Sequence, residues 1–122
     1  MSKAEPGNRL LVTVTRTASG IVNTPDFMTI KPAVLAVRPG NRVEFHFEGC
    51  RVPTVMIPLE GIFVERIGTP GKENPDVIVM DVLPVPRTVQ TDFPYAVYSA
   101  DFYDFGRGNS PPRMVLDSKP DN

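Results

Sequence analysis

Apolar and polar residues alternate with a period of two along much of this chain, the signature of strands that bury one face. In "RLLVTVTRT" (9–17), Leu10, Val12 and Val14 point one way while Leu11, Thr13 and Thr15 point the other. "RVEFHFEG" (42–49) alternates as cleanly, which predicts Val43, Phe45 and Phe47 inward and Arg42, Glu44, His46 and Glu48 outward. Shorter strands are expected at "FMTIK" (27–31), "AVLAV" (33–37), "TVMI" (54–57), "GIFVERI" (61–67), "VIVMDVL" (77–83), "RTVQ" (87–90), "YAVYSA" (95–100) and "RMVLD" (113–117). Turn signals separate them: Pro32, the "RPGN" of 38–41, and the polar loop "GTPGKENPD" of 68–76. No stretch carries a helical apolar stripe over three turns. Many short strands punctuated by Gly and Pro predict an all-β antiparallel sandwich.

Composition narrows the picture. A chain of 122 residues suffices for one domain with one core, here with residues 1–8 and 118–122 expected as flexible ends. Its 14 prolines leave little room for long helices, because proline breaks helix interiors. The 13 basic and 14 acidic residues form no block or stripe of one sign, so neither a nucleic-acid footprint nor a membrane-surface patch is expected. No apolar run approaches a membrane span. Cys50 is the one cysteine, which excludes an internal disulfide. The start "MSKAEPGNRL" lacks the apolar core of a signal peptide. A cytoplasmic location follows if the chain is the full translation product; a removed leader would place it in the periplasm instead.

Two segments carry a family likeness. The run "KPAVLAVRPGNRVEFHFEG" followed by "VPTVMI", together with "YAVYSADFYDFGRGNSPPRMVLD" (95–117), resembles the cupredoxins, the small blue-copper proteins. The likeness covers about residues 27–117 and implies a cupredoxin-like Greek-key antiparallel β-sandwich. Carried over by position, it puts the first His ligand near Pro53 or Thr54 and the thiolate ligand at Ser99. The second His falls near Phe102 or Tyr103, and the Met near Asn109 or Ser110. A type 1 copper site needs two imidazoles and a thiolate in one plane. With a hydroxyl at Ser99 that site does not form, so the resemblance implies a domain without its copper and with no cofactor.

The loop that would hold those ligands has another character. "DFYDFGRG" (101–108) interleaves Phe102, Tyr103 and Phe105 with Asp101, Asp104 and Arg107, a composition that recurs at binding surfaces. Alternatively, its rings plug the end of the sandwich that the copper cluster fills in relatives. Because Gly106 and Gly108 make ordering the loop costly, Phe102 and Phe105 are expected to anchor it inward, leaving Tyr103 partly exposed. A different chemistry would put copper or zinc on a non-standard site around His46, Cys50 and Met56, if β-alternation ran on far enough to align His46, Glu48 and Cys50. The plainer reading makes His46 a half-exposed strand residue and Cys50 a small buried one.

Catalysis finds little to stand on. "GTPGKENPD" has only two residues between Gly68 and Gly71, and Glu73 rather than Ser or Thr follows Lys72, so it is no phosphate loop. There is one histidine and no G-x-S-x-G motif. The reading that results is a non-catalytic binding or protein-interaction module for a protein or small-molecule partner. The pattern does not encode an oligomeric state.

Overall fold

The computed structural model describes residues 9–18, 20, 22, 27–87, 91–100 and 112–117. Among them are ten strands and no helix: β1 (Arg9–Thr17), β2 (Phe27–Lys31), β3 (Val34–Val37), β4 (Arg42–Glu48), β5 (Thr54–Met56), β6 (Ile67–Gly68), β7 (Val77–Asp81), β8 (Asp92–Pro94), β9 (Ala96–Tyr98) and β10 (Arg113–Leu116). No helix of the described residues is therefore long and apolar enough to cross a membrane.

One layer is a four-stranded sheet in the order β2-β1-β4-β7. The others are two three-stranded sheets, β3-β10-β8 and β6-β5-β9. Only Tyr95 separates β8 from β9, so residues 92–98 pair first with β10 and then with β5, and the two small sheets meet along this segment. The expected purely antiparallel arrangement is not what forms. β1 runs parallel to β4, and β3 runs parallel to β10. Period-two alternation reveals which face a strand buries and is silent on the direction of its neighbour.

The inward faces of β1 and β4 are those the alternation predicts. Val12 and Val14 of β1, Val43, Phe45 and Phe47 of β4, and Ile78 and Met80 of β7 are buried against Leu35, Val37, Val55, Phe93, Tyr95, Val97, Met114 and Leu116. They form one hydrophobic cluster, with Leu10 packed at its margin. Phe45 meets Tyr95 edge to face at 5.9 Å and 64°, tying β4 to the β8–β9 segment by a contact of about 0.5–1.5 kcal/mol beyond its buried area.

Turns fix the register. In "RPGN", Arg38 N donates to Asn41 Oδ1 at 2.7 Å and Asn41 N donates to Arg38 O at 3.0 Å, with Gly40 at φ 80°. Residues 61–67 are not the strand their apolar content suggests. Gly61 sits at φ 86°, where an added Cβ would lie 2.6 Å from Arg87 O, and the chain folds back on residues 81–87. Arg87 N donates to Gly61 O, Leu83 N to Ile62 O and Val64 N to Asp81 O. Only a bridge from Phe63 to Val82 and the start of β6 at Ile67 are extended pairings. Most of the expected 87–90 strand, residues 88–90, lies outside the described residues. β8 escaped prediction because Asp92 and Pro94 are poor strand formers.

Candidate functional site

β4 delivers its chain to one end of the sandwich. Gly49, at φ 75°, ends the alternation after Glu48, and Cys50 then turns into the core with 7% of its surface exposed. Its thiol lies 3.7 Å from Glu48 O. Val52 follows at φ 48°, a left-handed conformation that a β-branched side chain adopts only at a cost of about 1–3 kcal/mol. Its side chain is 70% exposed.

What holds this turn is a serine. The inward series Phe93, Tyr95, Val97 continues with period two to Ser99, which is buried. Ser99 Oγ accepts from Arg51 N at 3.1 Å and donates to Arg51 O at 2.8 Å, while Ala100 N donates to the same carbonyl at 2.7 Å. Three hydrogen bonds thus pin the Arg51 backbone and turn Val52 outward. Pro53 is buried, and Thr54 then enters β5 opposite Tyr98. The segment facing Ser99 is therefore Arg51, two to three residues before the positions the resemblance assigns to a first His.

His46 stands elsewhere. It lies on the outer face of the four-stranded sheet, its Nε2 3.1 Å from Glu44 Oε1. Arg9 closes on the same carboxylate, with Nη2 to Oε1 at 2.9 Å and Nε to Oε2 at 2.8 Å. The Arg9 hydrogen bond, and secondly that of His46, hold the Glu44 carboxyl below the usual range. Gly49 is the reason His46 and Cys50 diverge: the strand ends before alternation could align them, leaving imidazole outside and thiol inside. Met56 belongs to the partly exposed face of β5, with Tyr98 OH 4.0 Å from its sulfur. The structure does not bring the three together. Among the described residues, no group of three or more His, Cys, Asp or Glu side chains is arranged to hold a metal ion.

Asp101, Phe102, Tyr103, Asp104, Phe105 and Arg107 lie outside the described residues. So do Asn109 and Ser110. Their flanks are fixed: Ala100 is bonded to Arg51, and Pro112 O accepts from Tyr95 N at 3.0 Å. Ala100, the last described residue before them, thus lies at the end that presents Val52. Tyr95 also carries the one buried side-chain polar atom without a hydrogen-bond partner among the described residues, its hydroxyl. Sequence reasoning missed the Arg51–Ser99 clasp; a period-two count on from Tyr95 and Val97 is the signal that places Ser99 inward. No family model matches the chain, and none of the curated proteins matches it.

Proposed function

We propose that this chain is a cupredoxin-like domain without type 1 copper, whose work is non-catalytic binding at the sandwich end that carries residues 50–56 and 101–110. The observation that carries the reading is Ser99. Where the resemblance expects a thiolate, a buried hydroxyl both accepts from and donates to the Arg51 backbone. A neutral hydroxyl committed in this way is no substitute for the soft ligand that defines such a copper site. The Greek-key assignment is supported by the way the chain passes between layers, from β2 to β3, β3 to β4, β4 to β5, β6 to β7 and β7 to β8, around one core. Binding is supported by the strained, exposed Val52 and by the aromatic composition of the adjoining loop, since strain of this kind gathers at functional sites. A copper or zinc site shared by His46, Cys50 and Met56 has no comparable support, because these side chains occupy different faces.

Thermal unfolding of two variants tests the reading. Tyr103→Ala leaves Tm almost unchanged if that ring is a recognition surface. Phe105→Ala lowers Tm by several degrees, the effect of about 1–3 kcal/mol in a domain of this size, if that ring is an anchor. Equal and large losses for both make the loop a plug and remove the basis for binding there.

A further inference from the structure

Among the described residues the four-stranded sheet ends in β7, and one length of that edge pairs with none of them. Phe47 N donates to Asp76 O, and Val82 N donates to Asn41 O, both at 2.8 Å and both in the β4–β7 register. Even-numbered residues of β7 therefore turn their backbone groups toward β4, and odd-numbered ones turn theirs outward, as an antiparallel ladder requires. Two of the outward groups are taken by the chain itself: Asp81 O accepts from Val64 N at 2.9 Å, and Val77 N donates to Asn74 O at 3.3 Å. Between these stops, Val77 C=O and both backbone groups of Val79 have no partner among the described residues.

Those groups border a groove of about 560 Å³ lined by Thr69, Lys72, Glu73, Asn74, Val77 and Val79. Val79 is 46% exposed. Nothing in "VIVM" (77–80) guards the edge: it has no charge, no proline and no bulge, the devices that usually prevent strand addition. We propose that this edge binds an extended, uncharged apolar segment of another polypeptide by strand addition, with alternate side chains resting on Val77 and Val79. The spacing of one carbonyl and then an N–H and C=O pair is that of a strand partner. The length between Val64 and Asn74 limits the paired part to about three residues, roughly 10 Å. A second copy of β7 fits less well. Paired about a twofold axis at Val79, it would place its own Val77 opposite Asp81, where Val64 is already bonded. Lys72 and Glu73 supply one charge of each sign, so the groove offers no net attraction to a charged peptide.

Amide hydrogen exchange on the full chain tests this, with a blocked heptapeptide of alternating valine and threonine, kept soluble by an uncharged polyether tail, as the probe. Without peptide, the Val79 amide exchanges fast while those of Ile78 and Met80 are slow. When free peptide exceeds its Kd tenfold, Val79 exchange slows by about the same factor. An N-methylated version of the peptide, which cannot approach a strand edge, leaves Val79 unchanged. Three results overturn the proposal: Val79 as slow as Ile78 without peptide, no slowing at millimolar peptide, or equal slowing with the N-methylated probe. The edge shares no residue with the Arg51–Ser99 end, so either surface can fail without the other.

Discussion

Replacing Tyr95 by Phe removes a single oxygen from the centre of the molecule, and it stabilises the protein. Tyr95 is 4% exposed, its hydroxyl lacks a hydrogen-bond partner among the described residues, and its ring meets Phe45 edge to face. The unfolded chain gives that hydroxyl to water, so burying it unpaired costs the folded state about 1–3 kcal/mol. Tyr95→Phe keeps the ring contact and deletes the cost; part of the gain is returned as a small void, leaving a net gain of about 1 kcal/mol. An unfolding entropy of about 2.1 cal/mol/K per residue over 122 residues is about 0.26 kcal/mol/K, so Tm rises by about 4 °C. Burial also pushes the Tyr95 phenol above its ordinary pKa of 10.0. With the folded value raised, the phenol's contribution to stability is full below the unfolded pKa and is lost as pH climbs from there toward the folded value. The variant lacks this alkaline loss, so its advantage widens above about pH 10. Calorimetry of both proteins across the alkaline range is the assay. A variant less stable by about 1 kcal/mol, with no widening at high pH, shows that the hydroxyl has a partner and refutes the reasoning.

Further outcomes follow from the core and the outer face. Phe45→Ala empties a fully buried position and costs about 3–5 kcal/mol by urea titration; a loss under about 1 kcal/mol contradicts the β4 register. Gly68→Ala drives a Cβ to 2.7 Å from Met80 Sδ and 2.8 Å from Ile78 Cγ2, so overpacking costs about 1–3 kcal/mol, and an unchanged urea midpoint refutes that close approach. The lowered Glu44 carboxyl contributes stability that is present above its unfolded pKa and lost as pH falls through its folded one. Arg9→Gln therefore weakens the protein slightly near neutral pH, by a few tenths of a kcal/mol given the exposure of Arg9, and the difference closes in acid.

Strand faces were legible because burial repeats every second residue. β1 and β4 were read with their inward residues. Pairing direction was not legible, since Val12 would alternate identically beside a parallel or an antiparallel β4. The run at 61–67 looked like a strand because Ile62 and Phe63 are apolar and buried, yet Gly61 bends the chain back and those side chains serve the core from a loop. Cys50 is the small buried residue, and His46 the half-exposed one, that the plainer reading expected; the turn at Gly49 that separates them was not legible. The candidate site was legible on one side only. Ser99 stood out by position, whereas Arg51 meets it through backbone atoms that any residue type supplies. The β7 edge was hidden for a similar reason: its groups without a partner among the described residues belong to the main chain, and "GTPGKENPD" reads as an ordinary polar loop.

The central claim, that the scaffold keeps Ser99 where a copper protein needs a thiolate, is tested most directly by titrating the purified full chain with copper(II) and recording its visible spectrum. No intense band at about 600 nm, where copper–thiolate charge transfer absorbs, is expected at any copper ratio. A strong band there that disappears in Cys50→Ser would contradict it, for the buried thiol beside Arg51 would then be the ligand.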